Sequence, residues 1–269
     1  MAPLFSVSRG SRIAALCILV LAAIWFLFLR SEWYEYVEYD PVPVHFVNVT
    51  SLEVANIQLY ESKLRERTLR RLAASVVCKK GYVVTSSGGW CLYPSGDSLA
   101  KAHGHADPGL LPTLNYLFKN PRVVDLGAGL GQYGKVLSGL KAYEAYDGAL
   151  NVEEFTRGYV QWLDMTTPFT LTERADWILC LEVGEHIPAQ FGPVFLESVT
   201  RNARCGIVIS WAVPFQPGNG HVNNQPNSYV IDHMSRDGFR QNLKYQNILR
   251  ANGTFPWFKN TAMVFEKPC

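Results

Sequence analysis

The chain has 269 residues and a mass of 30.2 kDa, which is enough for one α/β domain of roughly 150–200 residues and an appendage. Apolar residues make up 48% of the chain and charged residues 18%, and this composition excludes global disorder and a collagen-like fibre. The formal net charge is only +2, so no nucleic-acid partner is expected. The mean hydropathy is near zero, which is high for a purely soluble protein.

The apolar excess is concentrated near the N-terminus, where residues 13–29 carry no charge. A helix over this segment would span roughly 25 Å, the short end of a membrane crossing. Arg9 and Arg12 precede the segment and mainly acidic residues follow it, which places the N-terminus in the cytosol. We therefore expect a single-pass type II membrane protein of the endoplasmic reticulum or Golgi, with a cytosolic tail (residues 1–12) and a lumenal body. A cleaved signal peptide is the alternative, but the segment ends in bulky residues without a small-residue cleavage site.

Three regions are predicted beyond the transmembrane signal-anchor: a stalk (residues 30–50), an N-terminal extension (51–99) and a catalytic domain (100–269). The extension should contain a helix from Ser51 to about Val77, whose basic face either is solvated or touches an anionic partner. Its two cysteines, Cys78 and Cys91, are the natural disulfide pair in an oxidising compartment. Two glycosylation sequons, at Asn48 and Asn252, agree with a lumenal body.

Apolar runs alternate with helical patterns from about Pro121 onward, which predicts a doubly wound, mainly parallel sheet. Two further strands near 240–250 and 258–266 are expected to form an antiparallel C-terminal hairpin, because no helix is predicted between them. The other predicted strands cover 122–126, 143–147, 160–164, 176–182 and 206–211, and the predicted helices cover 131–140, 190–202 and 228–236.

A glycine-rich loop follows the first strand, with the sequence Asp-Leu-Gly-Ala-Gly-Leu-Gly over residues 125–131. Glycines there permit a tight turn and close approach of a ligand. Their G-x-G-x-G spacing differs from the G-x-G-x-x-G of dinucleotide-binding folds. Asp125 would repel a pyrophosphate but attract a cationic amino-acid ammonium group.

Further acids end the next two strands. Asp147 stands where an acid hydrogen-bonds ribose hydroxyls, and Asp164 could accept an adenine amino group while Met165 packs on the ring. Since the carboxyl ends of parallel strands meet at one edge of the sheet, the three acids should face one ligand.

Together with the E-x-x-E-H-I-P stretch at residues 182–188, these motifs resemble the class I S-adenosylmethionine-dependent methyltransferases. The resemblance covers about residues 100–267 and implies a Rossmann-like methyltransferase fold with a seven-stranded sheet, S-adenosyl-L-methionine as cofactor, and a methyl acceptor that it does not identify. The cofactor-binding residues that it implies are Asp125, Gly127, Ala128, Gly129, Gly131, Asp147, Asp164, Met165 and Glu182.

The candidate catalytic residues are His221, His186 and Glu185. His186 follows the fourth strand, and His221 lies in a polar loop after the fifth, where acceptor sites form in doubly wound folds. His103 and His105 are further candidate bases. A metal held by these histidines and Glu185 is conceivable, but their spacing matches no ligand motif, so no metal site is predicted.

Other readings remain open. Trp211, Phe215 and Tyr229 would form either an aromatic platform for an acceptor such as a sugar ring or ordinary packing. A lumenal type II glycosyltransferase shares the predicted topology but usually shows an Asp-x-Asp triplet, which is absent here. A nicotinamide-dependent oxidoreductase is opposed by the glycine spacing. A non-catalytic cofactor-binding or interaction module is the last alternative.

Overall fold

The computed structural model describes residues 51–78, 85–92 and 106–269. The predicted cytosolic tail, membrane anchor and stalk lie outside the described residues, as do Asn48, His103 and His105. Among the helices that are described, none is long and apolar enough to cross a membrane.

Seven strands form one mixed sheet in the order β3-β2-β1-β4-β5-β7-β6. This is the sheet that the resemblance implies, and the chain has the Rossmann-like methyltransferase fold. The strands are β1 Arg122–Leu126, β2 Ala142–Asp147, β3 Gln161–Trp162, β4 Ala175–Cys180, β5 Ala203–Ile209, β6 Arg240–Gln241 and β7 Met263–Glu266. The described helices are α1 Ser51–Val77, α2 Leu111–Leu117, α3 Val152–Phe155, α4 Gly192–Asn202, α5 Asn227–Arg236, α6 Leu243–Asn252 and α7 Phe258–Thr261, with 3₁₀ turns at Gly184–His186 and Ala189–Phe191.

The centre of the sheet is buried on both faces, since the residues of β1, β4 and β5 are almost continuously buried along each strand. β1 pairs in parallel with β2 and β4, and β4 pairs in parallel with β5. One apolar cluster includes Phe195, Trp211 and Met234, and a second, which includes Phe118, Trp177 and Phe258, also takes residues from β1, β4, β5 and β7. The parallel strands therefore end together at one carboxyl edge.

The C-terminal strands differ from the predicted hairpin. β7 pairs antiparallel with both β5 and β6, as expected for the strand direction. The connection between β6 and β7, however, contains helices α6 and α7. The side chain of Asn242 accepts a hydrogen bond from the backbone N–H of Tyr245 and so caps α6, a signal that the sequence-based prediction missed.

The predicted helix over residues 131–140 is also wrong, because this segment forms successive turns. Gly131 and Gly139 both adopt φ of +69°, which a right-handed helix does not allow. At Gly134 the ring of Tyr143 approaches so closely that an added Cβ would lie 2.1 Å from it. The glycine-rich loop is therefore not followed by a helix N-terminus.

The N-terminal extension is fastened to the domain through charge pairs rather than left as a solvated basic face. Helix α1 has the predicted bounds. The Arg70 side chain, which is 4% exposed, forms an ion pair with Glu153 of α3 and donates to the carbonyl of Leu150. Arg67 and Arg71 pair with Glu153 and Glu154.

A disulfide joins Cys78 to Cys91, as predicted. It holds residues 85–92 across the carboxyl edge of the sheet. The backbone N–H of Leu92 donates to the side chain of Asn151, beyond the end of β2, at 2.8 Å. Gly88 packs so closely against His186, beyond the end of β4, that an added Cβ would lie 2.1 Å from the His186 carbonyl oxygen. A second disulfide joins Cys205 to Cys269, while Cys180 is a buried free thiol.

Candidate active site

The loop after β1 is shaped by three glycines in the left-handed region. Gly127, Gly129 and Gly131 have φ of +74°, +55° and +69°, which residues with a Cβ rarely adopt. The backbone N–H groups of Gly127 and Ala128 both donate to the carbonyl of Tyr146, at 2.8 and 3.0 Å, and so tie the loop to β2. The loop is therefore held tightly at the carboxyl edge, where the sequence predicted it.

Asp147 lies at the end of β2 and accepts a hydrogen bond from this loop. One carboxylate oxygen accepts the Gly129 N–H and the other the Ala149 N–H, each at 2.8 Å. Burial raises the pKa of Asp147, although the two N–H groups oppose this effect. Because each carboxylate oxygen has two acceptor positions, both can still accept a hydroxyl.

Asp125 is 3% exposed and lies beside Tyr143 of β2. The Tyr143 hydroxyl donates to its carboxylate at 2.5 Å. Burial raises the pKa of Asp125 to about 7, with the Tyr143 hydrogen bond opposing the rise and the charge of Asp147 adding to it. At neutral pH the group therefore exchanges readily between its neutral and charged forms, and a nearby cation would favour the charged one.

The predicted adenine-binding pair lies beyond β3. Asp164 accepts hydrogen bonds from the backbone N–H and the hydroxyl of Thr166, at 2.9 and 2.6 Å, through the same carboxylate oxygen. The other oxygen is not used by that turn. Met165 is 6% exposed and belongs to the main apolar cluster, so only its edge is available to a ligand.

Glu182 lies just beyond β4 with φ of +55°, a conformation that costs a residue with a Cβ about 1–3 kcal/mol. Its carboxylate accepts from the Gln216 amide at 2.7 Å and from the Thr261 hydroxyl at 3.1 Å. The side chain therefore joins the segments after β4 and β5 to helix α7. Such strain is typical of functional sites.

The three candidate catalytic residues lie together in the structure. Glu185 and His186 are adjacent in sequence, whereas His221 comes from the loop after β5 and its ring contacts that of His186. One potential ligand atom from each of Glu185, His186 and His221 lies within 4.8 Å of the others. Glu185 is fully buried, and neither of its carboxylate oxygens has a hydrogen-bond partner among the described residues. His221 Nε2 lies 4.0 Å from Glu185 Oε1. Burial, and then the charge of Glu182, raise the pKa of Glu185 well above its ordinary value.

Backbone contacts hold the two segments of this cluster together. The N–H groups of Val222 and Asn223 donate to the Glu185 carbonyl at 2.8 and 3.0 Å. The indole N–H of Trp211 donates to the Asn223 carbonyl at 2.6 Å and so holds the loop that carries His221. Trp90 contacts His186 edge-on, with ring centroids 4.8 Å apart.

Several of these supporting residues could not be identified from the sequence. Asn223 and Val222 act through backbone groups, which leave no sequence pattern. Trp90 reaches the site from a segment distant in sequence. Tyr143 appeared only as part of a strand, and its contact with Asp125 depends on the pairing of β1 with β2.

Of the two alternatives for Trp211, Phe215 and Tyr229, an aromatic platform or ordinary packing, the platform is not formed. Trp211 is 1% exposed and belongs to the core. Tyr229 packs edge-on against Trp211, with centroids 5.6 Å apart. Phe215, by contrast, is fully exposed and has φ of +69°. The packing interpretation therefore holds for two of the three residues.

Comparison with known proteins yields structural neighbours only, since no family model and no curated sequence relative matches. The N-methyltransferase NodS from Bradyrhizobium japonicum WM9, in complex with S-adenosylhomocysteine, superposes with a TM-score of 0.42 and 14% identity over 63% of this chain and 87% of its own. Magnesium protoporphyrin IX methyltransferase from Synechocystis PCC 6803, with bound S-adenosylhomocysteine, superposes with a TM-score of 0.41. Its sequence identity is 14%, and the superposition covers 65% of this chain and 89% of that protein.

A third neighbour is the 1,6-didemethyltoxoflavin-N1-methyltransferase of Burkholderia thailandensis, with bound 1,6-didemethyltoxoflavin and S-adenosylhomocysteine. It gives a TM-score of 0.40 and 13% identity over 61% of this chain and 80% of its own. These neighbours are methyltransferases with bound cofactor product. Likenesses with TM-scores below 0.5 and identities of 13–14% carry no argument about activity, so the activity must be inferred from the residues of this chain.

Proposed function

We propose that this chain is an S-adenosyl-L-methionine-dependent methyltransferase. The observation that carries the proposal is the joint geometry of the glycine turn and Asp147, whose carboxylate receives the Gly129 N–H at the end of the adjacent strand. That arrangement presents a close-fitting backbone turn beside an acid with spare acceptor positions. The ends of β1 and β2 are where ligands bind in doubly wound sheets.

The charges of the site fit this cofactor better than a nucleotide diphosphate. S-adenosylmethionine carries a cationic sulfonium and an ammonium group, whereas a diphosphate is anionic. Asp125 and Asp147 lie at the glycine turn, and Glu182 lies at the end of the neighbouring β4. We assign Asp147 to the ribose, Asp164 and the edge of Met165 to the adenine, and the glycine turn with Asp125 to the methionine moiety.

The bound cofactor would supply an electrophilic methyl group on sulfur, and the chain would orient the acceptor in line with it. The residues available for the acceptor lie beyond β4 and β5, where Glu185, His186 and His221 meet. His221 has 12% of its side chain exposed, so an acceptor can approach it from solvent. The segment at residues 85–92 lies across the same edge and would limit access of water.

We further propose that the catalytic domain works in the lumen of the secretory pathway, anchored through residues 13–29, on a glycan, protein or small-molecule acceptor. Two disulfides support an oxidising compartment, because such bonds are rare in reducing ones. The exposed position of Asn252 is compatible with glycosylation there.

The assignment of Asp147 is tested by calorimetric titration with S-adenosylhomocysteine. We expect Asp147→Ala to weaken binding at least tenfold, about 1.4 kcal/mol, since it removes the ribose acceptor and loosens the Gly129 turn. Asp232→Ala, which removes an exposed acid on α5, should bind like the parent chain. Equal affinities of the parent and the Asp147 variant would remove Asp147 from the site.

A further inference from the structure

The cluster of Glu185, His186 and His221 has the chemistry of a metal site. Two imidazoles and one carboxylate are a ligand set that zinc and other borderline divalent ions favour. The three potential ligand atoms lie within 4.8 Å of one another. Metal–ligand bonds of about 2.0–2.2 Å place neighbouring ligand atoms about 3–3.5 Å apart, so side-chain rotations that move them by about 1 Å would complete the site.

Glu185 provides the observation that points to a ligand. Its side chain is fully buried, and both carboxylate oxygens lack a hydrogen-bond partner among the described residues. Leaving the polar atoms of a buried carboxyl group without partners is costly, and buried carboxylates are normally paired or bound to metal. No lysine or arginine forms an ion pair with Glu185 in the described part of the chain, where its titratable neighbours are the His221 imidazole, with Nε2 4.0 Å from Oε1, and the carboxyl group of Glu182.

A backbone contact holds His186 in an orientation that suits ligation. His186 Nδ1 lies 3.2 Å from the Gly220 carbonyl oxygen. A ring that donates from Nδ1 to a carbonyl carries its lone pair on Nε2, and metal-binding histidines are commonly oriented by such a bond. His221 has a buried Nδ1 without a hydrogen-bond partner among the described residues, while its Nε2 lies near Glu185.

The backbone around the cluster is built for close approach. An added Cβ at Gly218 would lie 1.9 Å from His221 Nε2, and one at Gly184 would lie 2.1 Å from the Trp211 ring. The two N–H bonds from Val222 and Asn223 to the Glu185 carbonyl join the segments that provide the ligands. The partial exposure of His221 leaves an entry path.

We propose that Glu185, His186 and His221 together bind one divalent transition-metal ion, with zinc as the first candidate. Three protein ligands leave at least one coordination position open, as in catalytic zinc sites. An oxygen-bearing acceptor would occupy that position and lose its proton more readily there. The three side chains then act through the ion rather than as separate bases. Metal binding itself does not depend on methyl transfer, but the role of the ion at the acceptor rests on the proposed function.

The test measures metal binding directly on the purified full chain, prepared without a histidine tag and stripped with a chelator. Titration with Zn²⁺ alone should show one ion per chain at this site, and Co²⁺ should give visible d–d absorption. Glu185→Gln and His221→Asn should each weaken Zn²⁺ binding at least tenfold and lose the cobalt spectrum. His233→Asn is the matched control, because His233 lies on α5 outside the cluster, and it should bind like the parent.

Thermal unfolding adds a readout that does not require intact activity. Zn²⁺ should raise the Tm of the parent and the His233 variant, but not of the Glu185 and His221 variants, since a ligand stabilises only the state that binds it. The proposal is overturned if the parent chain binds no stoichiometric ion, or if both variants bind it as tightly as the parent does.

Titration of the same proteins with S-adenosylhomocysteine separates the two proposals. Retained cofactor binding without metal binding would reject the metal site alone. Metal binding without cofactor binding would instead reject the proposed methyltransferase function.

Discussion

At the scale of single residues, Asp125 differs from an ordinary surface carboxylate because folding buries it against Tyr143. Its pKa of about 7 in the folded chain lies far above the ordinary value of 3.8. Between these two values the unfolded chain has released the proton while the folded chain retains it. The contribution of Asp125 to the free energy of unfolding is therefore greatest below about pH 4. It decreases as the pH rises toward 7, and above pH 7 it no longer changes with pH.

Replacing Asp125 with asparagine should remove this pH dependence. We expect the unfolding free energy of Asp125→Asn, relative to the parent, to increase between pH 5 and pH 8 by roughly 2–3 kcal/mol, because about two pH units separate pH 5 from the folded pKa of about 7. Urea unfolding at both pH values measures it, and Asp232→Asn serves as the exposed control. A parent-to-variant difference that is the same at both pH values would show that Asp125 is not buried in this way.

At the scale of elements, the disulfide between Cys78 and Cys91 holds the segment that crosses the carboxyl edge. Replacing both cysteines with serine should lower the unfolding free energy by about 3 kcal/mol, because the unfolded chain regains the freedom of a short loop. Residues 85–92 should then become accessible to limited proteolysis.

The pair Cys205 and Cys269 offers a matched control, since it closes a loop of 64 residues away from that segment. Its removal should cost about 4 kcal/mol but leave residues 85–92 protected. Cleavage of that segment at equal rates in both double variants would contradict the role assigned to the first disulfide.

Some of the helices and strands could be predicted from the sequence, and others could not. β1 and β4 were recognisable because central parallel strands are apolar on both faces. The helix expected over 131–140 does not form because Gly131 and Gly139 adopt left-handed φ, while Gly134 leaves room for the Tyr143 ring. The sequence predicts a strand where α6 lies, because a short apolar pattern fits the periods of both a helix and a strand, and the cap at Asn242 is the signal that favours the helix.

The candidate active site, likewise, could be predicted only in part. Asp147 and the glycines could be placed because strand ends fix their positions along the chain. The meeting of Glu185 with His221 could not, since it depends on backbone bonds from Val222 and Asn223. A ligand motif is recognised from the sequence spacing of residues within one segment. Glu185 and His186 lie after β4 and His221 lies after β5, so no such spacing relates them.

At the scale of the whole molecule, the lumenal topology is tested through the sequons. In eukaryotic cells the chain should carry N-linked glycan that an endoglycosidase removes, and Asn252→Gln should lose one glycan's mass. Asn227→Gln is the control, since Asn227 lies outside any sequon. An unglycosylated chain whose catalytic domain is digested by protease added to intact microsomes from the cytosolic side would contradict the topology.

The proposed function depends most on the identity of the cofactor. The most direct measurement is calorimetric titration of the full chain, with its cysteines oxidised, against S-adenosylhomocysteine, NAD and a UDP-sugar. We predict saturable binding of S-adenosylhomocysteine alone, because the acids at the sheet edge favour its ammonium group and oppose a diphosphate. Tight binding of NAD or of the UDP-sugar, without binding of S-adenosylhomocysteine, would contradict the proposed function.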